Sequence, residues 1–318
     1  MVPAPITGDV TEETTMAHRT DFDEHFGGEE AGQGDPATAS VVVLPVPLEA
    51  TVSYGGGTAA GPSALLRASG ELELIEAETG EPYWDEGQVA TLPPLPCPQT
   101  QGDTARAALI ESITDAARPV LARNAFLLTL GGEHALTTGP YRAAAEVHDD
   151  LAIVGIDAHL DLRDTYEGTP WSHACVLRRI VDEFSPRVLW VGARSLAAEE
   201  RDFLKKEPTI DVRWAHAIAE EPDRSWIDRA IAPLPEKVYL TIDVDGLDPS
   251  IIPGTGTPEP GGLDYRTVLA FVRALAAQRT IVAADVVELA PIEGQQGSEF
   301  TSAKLAAKLV AAVLAART

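Results

Sequence analysis

Two short acidic runs carry most of the chemistry open to this chain: Asp157-Ala158-His159-Leu160-Asp161 and Asp243-Val244-Asp245. Each follows an apolar, β-branched stretch, residues 151–156 and 238–242, that reads as a buried strand of a parallel sheet. Residues two apart on a strand project from one face, so Asp157, His159 and Asp161 are expected to converge, as are Asp243 and Asp245. Carboxylates gathered this closely need protons or cations to offset their repulsion. A lone Asp at a strand end is more often a turn former or a helix N-cap. Five ligand-type side chains at this spacing, joined by Gly131-Gly132-Glu133-His134 after a third apolar run at 127–130, point instead to a metal centre. An EF-hand reading of Asp243-Val244-Asp245-Gly246 fails, because its third oxygen ligand, later Gly and closing Glu are not at the required spacing.

The donor set is His134, His159, Asp157, Asp161, Asp243 and Asp245, hard oxygens and imidazoles without a thiolate, which suits Mn²⁺ better than Zn²⁺. Four carboxylates balance two divalent ions, so two Mn²⁺ are expected. Two such ions about 3.5–4 Å apart lower the pKa of a shared water. With a hydroxide between them the site stays negative and suits a cationic substrate.

The positioning elements follow from hydrophobic patterning. Strands are expected at 40–45, 125–130, 151–156, 187–191, 237–242 and 280–287, with a weaker one at 210–215. Helical patterns lie at 104–121, 136–147, 197–206, 224–231, 265–276 and 301–316. This alternation predicts one α/β domain, a three-layer α/β/α arrangement with a mostly parallel sheet. Ligands of such sheets bind beyond the carboxyl ends of the strands, where the acidic runs fall. The glycine-rich run 55–62 lacks the Lys-Ser/Thr ending of a phosphate loop and reads as a loop before a helix, with Pro62 in its first turn, bordering the site. Residues 1–38 are acidic and without apolar periodicity, a flexible tail ahead of a catalytic domain at 39–318.

Composition narrows the partners. The 49 acids against 24 Lys and Arg give a net charge of −25, which repels nucleic acid and anionic membranes and is relieved by screening at high salt. Two cysteines are too few for a disulfide framework, which fits the reducing cytoplasm. No apolar run is long enough to span a membrane.

Five collinear segments, Gly131–His134, Asp157–Asp161, Asp243–Pro249, Pro253–Pro258 with Gly261-Gly262-Leu263, and Asp285-Val286-Val287-Glu288, resemble the ureohydrolases, the arginase and agmatinase family, over about residues 40–316. The resemblance implies an arginase-like fold and a homo-oligomer, trimeric or hexameric. It implies one metal on His134 and Asp161, a second on His159 and Asp245, and Asp157 and Asp243 bridging both. It further implies that water attacks a guanidinium carbon and that the tetrahedral intermediate collapses to urea and an amine. Glu288 would orient the guanidinium through paired charge-assisted hydrogen bonds. His173, in Ser172-His173-Ala174, matches the histidine that moves a proton to the leaving amine, and imidazole suits that work at neutral pH. Thr257 lies in a matching substrate-side loop.

Two departures stand out. Ala135 occupies a position where many members have Ser. The loop 162–172 lacks the Asn- and Ser-containing pattern with which arginases hold an α-carboxylate, and looks like the agmatinase version. Within it Glu167 and Trp171 are expected to face a cationic or apolar tail by ion pairing and cation–π contact. The expected reaction is therefore agmatine plus water to putrescine plus urea. The alternatives are another guanidine (guanidinobutyrate, guanidinopropionate, formiminoglutamate, arginine or guanidine itself), favoured for anionic tails if Arg163 points inward, or a non-catalytic metal-stabilised scaffold.

Overall fold

A computed structural model describes residues 24–99 and 101–317. Its strands are β1 (Val41–Val46), β2 (Val89–Thr91), β3 (Phe126–Gly131), β4 (Leu151–Ile156), β5 (Val188–Val191), β6 (Ile210–Arg213), β7 (Lys237–Asp243) and β8 (Thr280–Val287). The helices are α1 (Gly61–Ser69), α2 (Asp103–Ala122), α3 (Thr138–Ala145), α4 (Val176–Phe184), α5 (Ala198–Leu204), α6 (Ala215–Ala219), α7 (Trp226–Ile231), α8 (Tyr265–Gln278) and α9 (Gly297–Arg317).

Among the described residues the strands form one sheet in the order β2-β1-β3-β8-β7-β4-β5-β6, and every pairing is parallel. Alternate side chains feed two cores. Val41 and Val43, Leu128 and Leu130, and Leu240 and Ile242 face one side with α1, α7, α8 and α9. Val42 and Leu44, Leu127, Ile153 and Tyr239 face the other with α2, α3 and α4. Both faces are thus covered, which is why these strands read as continuous apolar runs rather than as alternation. The chain runs β3 to β4 past two strand positions that β8 and β7 later fill. The carboxyl ends of β3, β8, β7 and β4 therefore stand side by side in the crevice where such sheets bind ligands.

Some boundaries differ from the sequence reading. The helix expected at 136–147 begins as a tight 3-10 turn, His134–Thr137, before α3. β2 is three residues long, too short for periodicity to register, and α4 falls outside the helical patterns expected from the sequence although Val176, Leu177, Ile180 and Val181 mark its buried face. The flexible tail expected at 1–38 does not extend through 24–38. Phe26 is buried, stacks on Trp84 with ring centroids 5.6 Å apart, and donates its N–H to Thr91 Oγ1. A single aromatic anchor among acids has no periodic signature, so patterning missed it. Residues 1–23 lie outside the described residues. No described helix is long and apolar enough to cross a membrane.

Candidate active site

The acidic runs converge, but turns rather than strand pleat bring them together. β4 stops at Ile156, so Asp157–Asp161 lies wholly in the loop beyond it, where Asp157 Oδ1 accepts the His159 N–H at 2.7 Å. β7 stops at Asp243, whose Oδ1 accepts the Asp245 N–H at 2.9 Å at the head of a 3-10 turn, Val244–Gly246. Asp161 and Glu288 both sit in the left-handed region, φ 51° and 63°, a conformation costing a non-glycine residue about 1–2 kcal/mol. Close backbone approach demands two glycines. A Cβ on Gly132 would collide with the Leu48 carbonyl, and one on Gly246 would lie 2.8 Å from the Asp157 nitrogen.

The side chains gather in two groups, His134 with Asp157 and Asp243, and His159 with Asp157 and Asp245. His134 Nδ1 lies 3.3, 3.1 and 3.4 Å from oxygens of Asp157, Asp161 and Asp243. His159 Nδ1 lies 3.0 Å from Asp245 Oδ2 and 3.8 Å from Asp157 Oδ1. All except His159 are buried.

A buried relay sets the His134 tautomer. Asp285 accepts hydroxyls from Thr137 (2.8 Å), Tyr239 (2.6 Å) and Thr241 (2.6 Å). With its proton given to Asp285, Thr241 Oγ1 can only accept from His134 Nε2, 2.8 Å away. Nδ1 is then the atom aimed at three carboxylates; burial lowers the imidazole, but Asp157, Asp161 and Asp243 override this and hold it well above its usual range, and neither His134 Nδ1 nor Asp157 Oδ2 has a well-formed hydrogen bond. Such orphaned donor atoms are what a cation would satisfy, so the residues fit a hard divalent metal.

Protonation shows the same frustration. Burial, then the charges of Asp161, Asp243 and Asp245, push the Asp157 carboxyl well above its usual range. Burial and Asp245 push Asp243 up to about 7. Burial lowers the His159 imidazole, but its hydrogen bond to Asp245 overrides this and raises it to about 11. Groups whose folded pKa is raised contribute stability below their unfolded pKa and lose it as pH climbs through the folded value. The metal-free protein should thus lose stability from about pH 4 to 7 through Asp243, and from about 6.5 to 11 through His159. A cation replaces those protons, so the gain in melting temperature on adding Mn²⁺ to chelator-treated protein should grow between pH 5 and 8. A gain that shrinks with pH would mean that this cluster does not take the ion.

A cavity of about 270 Å³ opens onto the cluster, lined by His159, Asp161, Asp243, Asp245 and Glu288 and by His173, Tyr166, Arg163, Thr257 and the exposed Tyr54 and Leu196. Glu288 Oε1 accepts the His134 N–H at 2.6 Å; burial and the Asp243 charge raise its carboxyl well above normal. Thr257 Oγ1 reaches Asp245 Oδ2 at 3.4 Å. Ala135 is buried behind His134.

Glu167 and Trp171 are not where the loop sequence suggested. Glu167 is exposed at the tip of a turn closed by reciprocal bonds between Tyr166 and Thr169, and Trp171 packs against the α2–α4 core; neither lines the cavity. Tyr166 does, edge-on to the His173 ring at 5.9 Å. Arg163 reaches the wall, but Glu199 binds it at 3.0 Å and it lies over Tyr166 at 4.8 Å, so its charge is already matched. The Gly-rich run behaves as expected. Glu49 accepts the Gly57 and Ala59 N–H groups, Gly55 borders the cavity, and a short turn leads into α1.

Patterning missed several supports. Arg194 donates to the carbonyls of Asp245 (2.6 Å) and Glu259 (2.6 Å), locking the Asp245 turn to the Thr257 loop. Thr241, a hydroxyl in an apolar strand two residues before Asp243, was the available signal for the His134 relay. Glu133, buried behind its neighbour His134, gave none beyond its motif.

The arginase family model matches residues 39–316. An N(1)-aminopropylagmatine ureohydrolase of Synechocystis is 42% identical over 277 residues, covering 86% of this chain and 89% of the relative. An agmatinase of Bacillus cereus is 34% identical over 280 residues, covering 85% and 91%. The crystal structure of an agmatine ureohydrolase of Thermoplasma volcanium superposes with a TM-score of 0.79 at 27% identity, covering 91% of this chain and 94% of that one.

Proposed function

Because this chain belongs to the arginase family, whose model spans nearly all of it, we propose that it releases urea from a guanidino amine with a cationic tail. N(1)-aminopropylagmatine is the preferred substrate and agmatine the second. The carrying observation is the cavity itself. Six acidic side chains line it, Glu133, Asp161, Glu200, Asp243, Asp245 and Glu288, and its one arginine is matched by Glu199, so among the described residues it offers no unmatched Lys or Arg to an anionic tail. Exposed Tyr54 (85%) and Leu196 (43%) at the mouth suit an alkyl-ammonium chain that runs outward, which supports the longer substrate.

In this reading two Mn²⁺ would be held by His134, Asp157, Asp161 and Asp243 on one side and by His159, Asp157 and Asp245 on the other. When bound, the ions supply Lewis acidity and water of lowered pKa. The chain does the rest. Glu288 holds the guanidinium through charge-assisted hydrogen bonds. Thr257 and the Arg194-braced turn keep Asp245 in register. His173, on the wall, hands a proton to the departing amine nitrogen as the carbon–nitrogen bond breaks, leaving urea and the polyamine.

Urea release by Mn²⁺-loaded protein, measured side by side on N(1)-aminopropylagmatine, agmatine, arginine, guanidinobutyrate and guanidine, tests this. The two cationic amines should lead in kcat/KM, with the longer one first. Leading turnover of arginine or guanidinobutyrate would overturn the tail assignment. Silence on all five with metals bound would overturn the reaction. The His134 relay makes a separate prediction: Thr241→Val should weaken metal affinity about 10–100-fold, while Thr241→Ser keeps it, as read by titration with Mn²⁺.

A further inference from the structure

Glu133 and Thr51 take no part in the reaction just described, yet they lie against His173. Glu133 is buried, and both its carboxylate oxygens accept hydrogen bonds. Oε2 accepts the N–H groups of Ala50 and Thr51, both at 2.7 Å, and Oε1 accepts the Thr51 hydroxyl at 2.9 Å. A threonine hydroxyl has one proton, so Thr51 Oγ1 is left with acceptor capacity only. Two groups face it, both from His173: the backbone N–H at 3.1 Å and ring Nδ1 at 3.3 Å. Ser172 Oγ is the next polar atom to Nδ1, at 3.5 Å, and Ser53 Oγ stands 3.5 Å from Nε2.

We infer that the Glu133–Thr51 pair is a positioning device that fixes His173 as the Nδ1–H tautomer, leaving Nε2 to face the cavity as the atom that exchanges protons. The reasoning is directional. A carboxylate that takes the hydroxyl proton turns Thr51 into an obligate acceptor, and an obligate acceptor selects a ring nitrogen that carries hydrogen. The same logic operates at Asp285–Thr241–His134, where it selects Nε2–H instead. Two carboxylate–threonine–histidine relays thus orient two imidazoles in opposite tautomers, one toward the acidic cluster and one toward the cavity. Three loops meet in the His173 relay: the segment after β1 gives Thr51, the end of β3 gives Glu133, and the 3-10 turn His173–Cys175 gives the ring. The kinetic part of this inference rests on the proposed proton transfer by His173; the tautomer does not.

The experiment is ¹⁵N NMR of histidine-labelled, Mg²⁺-treated protein, with the His173 ring assigned by its loss in His173→Ala. Above the titration of the ring, Nδ1 should show the protonated-type shift and Nε2 the bare one; Thr51→Val should move the ring toward the other tautomer and Thr51→Ser should not. An Nε2–H ring in the unaltered protein, or a ring indifferent to Thr51→Val, overturns the inference whether or not urea is formed. In turnover with Mn²⁺, Thr51→Val should lower kcat on the order of tenfold with little change in KM. It should cost nothing further on a His173→Ala background. An equal loss in both backgrounds would mark Thr51 as structural only and sink the positioning role.

Discussion

Replacing Asp157 by alanine should leave a protein that keeps neither metal and releases urea more than about 100-fold more slowly. Partners that merely orient a ligand already cost 10–100-fold, and Asp157 is the one side chain shared by both donor groups. Metal analysis after dialysis, beside urea release, checks it, and retention of both ions would remove Asp157 from the centre. An isosteric variant sharpens the test. Burial and three neighbouring carboxylates hold Asp157 well above its normal titration range, so near neutral pH the metal-free fold is burdened by a group that the unfolded chain would ionise freely. Asp157→Asn removes that burden. Chelator-treated Asp157→Asn should melt higher than chelator-treated parent near pH 7, although it has lost the site's function. A lower melting point would show that Asp157 is held by something other than a frustrated acidic cluster.

The His173→Ala variant should behave in the opposite way: both metals retained, kcat down by about 10²–10⁴, the usual range for a positioned acid or base. The contacts of His173 are with Thr51, Ser53, Ser172 and Tyr166, none of them in the acidic cluster, which is why metal content should not follow activity down. Measuring kcat and bound metal on the same preparation separates the two cases. Full turnover by His173→Ala would end the proton-transfer assignment.

These two variants differ because their residues entered the fold by different routes, and that difference also governs what could be read in advance. The central strands were legible because burial on both faces writes continuous β-branched runs into the sequence, and 151–156 and 280–287 coincide with β4 and β8. The gathering of His134, Asp157, His159, Asp161, Asp243 and Asp245 was legible as well, since a parallel sheet brings the residues just after its strands to one edge. Asp161 and Asp245 meet their neighbours through a left-handed residue and a 3-10 turn, not through a strand's two-residue repeat.

Side-chain direction in irregular segments was not legible. Loop 162–172 has no period, so nothing local told Glu167 and Trp171 to turn away from the cavity while Tyr166 turned toward it. Phe26 and Trp84 pair across 58 positions through one contact, below any periodic signal. Glu133, Thr51 and His173 come from three separated segments and act through the direction of single hydrogen bonds. By itself, then, the sequence determined the sheet and its acidic edge, because backbone period and donor chemistry are local properties. Only the tertiary structure decided which histidine nitrogen faces which partner, what lines the cavity and how Arg163 is neutralised, because hydrogen-bond direction and loop packing depend on neighbours that the chain brings from elsewhere.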